Sequence, residues 1–273
     1  MSYWQTNFDK IKEEYHVVFD VLEKTFAKFD VDFYLIGAQS RDVWTNHLPI
    51  DKRLTRDIDY SVYIASYKIW DQLNEYLIHE EGFKRDEKEP YRFYFKRDII
   101  DLMPFGTIEK NGEVILQNPT MELSVFGCKE VMEEAIVIHN KYKVITLPGL
   151  CIMKLVAFDE KPDIRAKDWD DFIFLLNNYS EIAGNELFEG YHDDLIKNNF
   201  EMPVASARLL GRNMKSILNK NGKLFNRVSQ ILENKLKGFT FEEINEMYVV
   251  RDRGDKNVEQ MKLIAEVIKG VRD

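Results

Sequence analysis

Apolar side chains recur at spacings of three and four through Phe8, Ile11, Tyr15, Val18, Leu22, Phe26 and Phe29. That period is helical and predicts one amphipathic helix over residues 7–29, with its stripe turned toward a core. The period then shortens. Asp32-Phe33-Tyr34-Leu35-Ile36 holds a short apolar run ended by Gly37, Gln39–Leu48 reads as a helix, and Ile58–Ile64 alternates as a strand. The intervening Pro49-Ile50-Asp51-Lys52-Arg53-Leu54 is a polar loop, expected to border any site built by these elements. A helix over Tyr67–Glu81 is closed by Gly82. Strands Tyr91–Phe95 and Ile99–Met103 follow, the second entering a proline stop at Pro104. Strand candidates Val114–Leu116, Ala135–His139 and Lys143–Thr146 complete a mixed sheet, and Pro148-Gly149 is the best boundary in the chain. Beyond it, Leu150–Phe158 and Arg165–Asn177 are helical. The expected fold class is therefore α/β (α+β), a mixed-sheet domain with flanking helices over 1–148 and a helical domain over 149–273.

Within this pattern, Asp57 and Asp59 stand two apart in Thr55-Arg56-Asp57-Ile58-Asp59-Tyr60. On a strand, residues i and i+2 share a face, so both carboxylates project together while Ile58 turns away. Crowded carboxylates repel unless a cation lies between them or one keeps a proton. A hard divalent ion with oxygen ligands, such as Mg²⁺, resolves the conflict. Asp98 and Asp101 are candidates for a third acid, and their three-residue separation puts them on opposite faces. Asp98 adjoins Arg97 at the strand entrance, where charges are usually solvated, so Asp101 is selected.

The glycine turn supplies the other half. A strand–glycine–helix junction at Gly37-Ala38 presents unpaired backbone N–H groups and a helix N-terminus, a combination that suits a phosphate. Ser40 can add a hydroxyl contact and Arg41 a charge-assisted one.

Gly37-Ala38, Ser40 and Thr55-Arg56-Asp57-Ile58-Asp59 together resemble the signature of the nucleotidyltransferase superfamily, whose fold is shared with polymerase β-type enzymes. The wording Thr-Arg-Asp-Ile-Asp, with the Lys154 and Lys167-Asp168 segments, is most similar to AbiEii-like abortive-infection toxins. Gly37 to Asp42 is also similar to the Gly-Gly-x-x-Arg-Asp of tRNA CCA-adding enzymes, although Ala38 stands where the superfamily places a second Gly or a Ser. The resemblance spans roughly residues 33 to 172. It implies a two-ion Mg²⁺ site on Asp57, Asp59 and Asp101, with an NTP as substrate and Asp101 beside the acceptor hydroxyl. It further implies that Lys154 points toward the triphosphate, that Lys167 touches phosphate, and that Asp168 orients a basic partner. The role implied is that of a toxin adding nucleotides to tRNA or another RNA, with an antitoxin partner. A small-molecule acceptor, as in the aminoglycoside-modifying relatives, and a non-catalytic nucleotide-binding module are the competing readings.

Composition narrows this little further. The chain has 273 residues, 45% apolar and 31% charged, and a net charge of −9 that argues against a general nucleic-acid coat. Against that background, residues 204–238 carry eight basic side chains and one acid, and Arg208, Arg212 and Lys215 share a helical face that can hold an RNA backbone. Cys128 and Cys151 sit singly among apolar residues, which fits a reducing compartment. His16, His47, His79, His139 and His192 are scattered without ligand spacing. With neither a basic-apolar leader nor an apolar run near the length of a membrane span, a cytoplasmic location and no membrane partner are expected.

Overall fold

A computed structural model of the chain describes residues 3–49, 57–197, 200–250 and 255–273. It divides into two compact units, Met1–Thr146 and Leu147–Asp273, so the division falls just before Pro148-Gly149. Among the described residues no helix is long and apolar enough to cross a membrane.

The first unit begins with α1 (Tyr3–Glu14) and α2 (His16–Phe29). The single helix expected over 7–29 is therefore broken at Tyr15, whose backbone sits at φ −109°, ψ 24°. Next to the break the His16 ring Nδ1 lies 3.1 Å from the Glu13 carbonyl oxygen. Both halves reach Tyr142, through Phe8 and Phe19, but their other partners differ: Asn7 of α1 donates to the Val43 carbonyl, whereas α2 packs its Phe19 and Phe26 rings on the sheet residue Tyr60. A continuous apolar stripe thus conceals a break.

After these come β1 (Phe33–Ile36), α3 (Gly37–Thr45), β2 (Asp57–Ile64), α4 (Tyr67–His79), β3 (Lys84–Arg85), β4 (Arg92–Phe95) and β5 (Asp98–Gly106). Then follow β6 (Glu113–Leu116), β7 (Met121–Ser124), α5 (Cys128–Met132), β8 (Ile136–Ile138) and β9 (Tyr142–Val144). Seven strands form a mixed sheet in the order β3-β4-β5-β2-β1-β9-β8. β2 and β5 run parallel at its centre, with α4 in the crossover between them, while β1 is antiparallel to β2. β6, expected in this sheet, instead pairs with β7 in a separate two-stranded ribbon.

One face of the sheet is the core. Ile58, Tyr60, Val62 and Ile64 of β2, with Leu35, Phe93, Ile100 and Leu102 beside them, are almost wholly buried. Their alternation is what the sequence period of two requires. The strand does not stop at Pro104 as expected; β5 continues in register with β2 to Gly106. The Leu102 N–H reaches the Tyr91 carbonyl on the β4 side, and Pro104, two residues further, turns its missing N–H to that same edge beyond the end of β4. A proline is tolerated where no ladder bond is needed.

The second unit contains α6 (Leu147–Glu160), α7 (Ala166–Ala183), a 3₁₀ turn (Gly184–Phe188), α8 (Met202–Leu218), α9 (Gly222–Lys235), α10 (Phe241–Val250) and α11 (Lys256–Arg272). α8 and α11 cross at Gly211 and Gly270. A Cβ on Gly211 would sit 2.2 Å from the Val267 carbonyl oxygen, and one on Gly270 2.1 Å from that of Arg208. Along α11 the buried Glu266 accepts from Lys262 and Lys269, each at 2.8 Å. Burial alone would raise the Glu266 carboxyl, but the two ammonium groups pull it below its ordinary value.

Because the atoms facing Gly211 are backbone, Gly211→Ala should destabilise the second unit by about 2–3 kcal/mol through overpacking. Gly222→Ala, where a Cβ meets nothing within 4 Å, should stay within about 1 kcal/mol of wild type. Urea unfolding midpoints of the two variants check this.

Candidate active site

The polar face of the sheet is assembled by register. Asp59 lies beside Asp101 across the parallel β2/β5 pair and beside Ile36 across the antiparallel β1/β2 pair. Asp57, two residues earlier, shares that face. Asp57, Asp59 and Asp101 are thus brought together by neighbouring strands whose spacing is about 4.8 Å. Asp98, by contrast, pairs with Phe95 at the mouth of the β4/β5 hairpin and has the opposite parity.

Gly37 completes the junction. It follows Ile36 directly, has φ +67°, and opens α3. A Cβ built on it would lie 1.9 Å from Asp59 Oδ2 and 2.7 Å from Asp59 Cγ. No side chain other than hydrogen lets the Asp59 carboxylate approach that backbone, and the left-handed φ independently favours glycine. Ala38 is half-buried in the first turn of α3. Ser40 is fully buried and donates to the Gly37 carbonyl at 2.7 Å, so its hydroxyl serves the turn. Arg41 is also buried, its Nε donating to Asp42 at 3.0 Å. Both side chains are therefore turned into the unit, which leaves backbone N–H groups at the opening of α3. Thr55, Arg56 and the loop residues Ile50-Asp51-Lys52-Arg53-Leu54 lie outside the described residues.

A fourth group occupies the acidic face. Arg92 on β4 stands opposite Asp101 and grips it with both prongs, Nε to Oδ1 at 2.8 Å and Nη2 to Oδ2 at 2.8 Å. Its Nη2 is 3.8 Å from Asp57 Oδ2, and its Nη1 is 2.6 Å from Glu89 Oε2. Burial pushes the Asp101 carboxyl up from its ordinary range and the Arg92 fork opposes that push. The Asp101 hydrogen bonds in turn hold the guanidinium still more firmly protonated. Glu89 is positioned by a tight turn: Asp86 Oδ1 accepts from the Lys88 and Glu89 amides, and Asp86 Oδ2 from the Tyr94 hydroxyl. The Tyr94 hydrogen bond, then those amides, hold the Asp86 carboxyl at about 2.

Arg92 was not singled out by the sequence, yet a signal existed. Phe95 pairs with Asp98 around the two-residue turn Lys96-Arg97, and Lys96 has the φ of +55° that such a turn needs. Counting back from that turn puts Arg92 opposite Asp101.

As they stand, no three acidic, histidine or cysteine side chains among the described residues converge closely enough to hold a metal ion. The chemistry of the donors, though not their present spacing, is that of a metal site. Three carboxylates share a face and Gly37 leaves room for the Asp59 oxygen, while the Arg92 guanidinium takes both Asp101 oxygens. All-oxygen donors of this kind select a hard divalent ion.

Lys154, Lys167 and Asp168 lie in the second unit. Lys154 Nζ is 2.7 Å from Asp168 Oδ1 and 2.6 Å from Asp171 Oδ2, and Asp168 is 3% exposed. Burial alone would lower the Lys154 ammonium; the two aspartates overcome it and hold it above its ordinary value. Asp168 also lies 3.5 Å from Arg165 Nη1, so two basic groups face it. Asp171 is engaged by Lys154 as well, and Lys167 is exposed. Within the basic stretch 204–238, Arg208 forks Asp273, Arg212 reaches both Asp273 and Asp194, and Arg227 binds Asp159. Lys235 lies over the Phe158 and Trp169 rings at 4.3 and 4.2 Å.

Lys154→Met would leave the buried Asp168 carboxylate with only the long 3.5 Å contact to Arg165, and a loss of about 3 kcal/mol is expected. Asp168→Asn in the same background should recover part of it, as thermal unfolding would reveal. In the first unit, Gly37→Ala should cost about 2–4 kcal/mol from left-handed strain plus displacement of Asp59. Its urea midpoint, set beside that of Ala38→Gly, is the check.

A scan against protein-family models returned no match, and comparisons with curated proteins and with solved structures returned none either.

Proposed function

We propose that this chain is a divalent-ion-dependent nucleotidyltransferase that moves a nucleotide monophosphate from an NTP to an acceptor hydroxyl. The observation that carries the reading is the register that sets Asp59 beside Asp101 and lays the Asp59 carboxylate against Gly37 at the strand–helix junction. Asp57, Asp59 and Asp101 would hold the ions. When bound, two Mg²⁺ ions supply charge neutralisation on the triphosphate and acidify the acceptor hydroxyl. The backbone amides opening α3 receive a phosphate, because their hydrogen-bonding capacity is unused within the helix and the dipole favours an anion there. Of the three carboxylates, Asp101 is the one on the strand next to β4 and would accept the acceptor proton from that side.

The resemblance to abortive-infection toxins and to CCA-adding enzymes favours RNA, tRNA above all, as acceptor, and an antitoxin as protein partner. A small-molecule acceptor is the second reading. It is favoured by one observation: the arginines of 204–238 are bound to carboxylates and do not stand ready for a phosphate backbone.

Incubation with each labelled NTP, Mg²⁺ and either bulk tRNA or a panel of amino alcohols decides between them. Label should move to one acceptor class, and Asp59→Asn should lower the rate by roughly 100-fold or more. Transfer to neither class, or transfer that survives Asp59→Asn, would remove the enzymatic reading.

A further inference from the structure

Arg92 spans three carboxylates. Both Asp101 oxygens receive it at 2.8 Å, Asp57 Oδ2 is 3.8 Å away, and Glu89 Oε2 holds the opposite prong at 2.6 Å. The first two of these carboxylates are the ones assigned above to a divalent ion. Mg²⁺ or Mn²⁺ binds carboxylate oxygen at about 2.1 Å. An ion at that distance from Asp101 would lie against the guanidinium, which is planar, fully charged and already spends both inner donors there. Two cations cannot use the same pair of oxygens without strong repulsion.

We propose that Arg92 is the resident counter-ion of this acidic face and a positioning residue for its divalent ion: it yields Asp101 when the ion binds, and Glu89 retains it at the rim. The inference rests on the nucleotidyltransferase reading of the same site. The geometry gives the exchange a route. The Asp86 turn fixes the Glu89 backbone at the rim, so the Glu89 carboxylate can follow the guanidinium while it releases the other two. In the ion-free state the fork also keeps the buried Asp101 carboxylate aimed, which lowers the reorganisation needed on loading. The affinity for the ion is consequently set by competition, and a side chain that never ligates it controls occupancy.

Mn²⁺ binding to the full chain, read by electron paramagnetic resonance at pH 8 without nucleotide, tests this independently of turnover. Arg92→Met should bind Mn²⁺ about tenfold more tightly than wild type, within the range of couplings between neighbouring charges. Arg92→Lys, which keeps the charge but not the fork, should fall between the two. Glu89→Gln alone should weaken binding severalfold, since the displaced guanidinium loses its second partner. In the Arg92→Met background the same change should alter affinity by less than about twofold. An equal Glu89→Gln effect in both backgrounds would mean simple charge removal and would overturn the exchange. So would unchanged or weaker Mn²⁺ binding by Arg92→Met with its thermal unfolding intact. If no variant binds Mn²⁺ in a manner abolished by Asp59→Asn, the metal-dependent reading itself falls and takes this inference with it.

Discussion

Like charges forced onto one face of a sheet must be offset by something, and in this chain the fork between Arg92 and Asp101 is a principal offset. The parallel register of β2 and β5 sets Asp59 beside Asp101, and the antiparallel hairpin sets Arg92 beside Asp101. Removing the guanidinium would leave a carboxylate that burial already biases toward the protonated form. On β2 the opposite face, Ile58, Tyr60, Val62 and Ile64, can then be given to the core, because alternation turns Asp57 and Asp59 to the other side. Core and candidate site are two consequences of a single period.

How much of this is legible in the sequence depends on whether the relevant interaction is local. The shared face of Asp57 and Asp59 follows from strand parity, and the glycine at the β1–α3 junction follows from its neighbours. Arg92 required the register of a hairpin, so it escaped. Pro104 misled because a proline ends a strand only where its N–H is wanted, and the edge beyond β4 wants none. The break at Tyr15 is invisible to periodicity, since each half of the stripe remains apolar and only the partner changes. β6 carries a sound strand pattern, yet pattern does not say which sheet a strand will join.

The second unit teaches the same lesson about charge. Lys167 and Asp171 are helical neighbours, but surface pairs of that kind contribute little, and the buried Lys154 ammonium makes the stronger claim on Asp171. The basic density of residues 204–238 is real in one dimension only. Its arginines are answered by Asp159, Asp194 and Asp273, none of which belongs to the stretch. A net charge counted along a segment omits partners that folding imports, and bidentate arginine pairs are the ones folding fixes most firmly.

The same reasoning explains why position 37 demands glycine while position 38 accepts alanine. At Gly37 the backbone is left-handed and its α-carbon faces a carboxylate oxygen, so both sterics and φ demand glycine. Ala38 is already inside the first turn of α3, is absent from the positive-φ residues, and carries a small side chain in a helix that favours it. The second residue need only suit the first turn of a helix, whereas the first decides whether Asp59 can occupy its place at all.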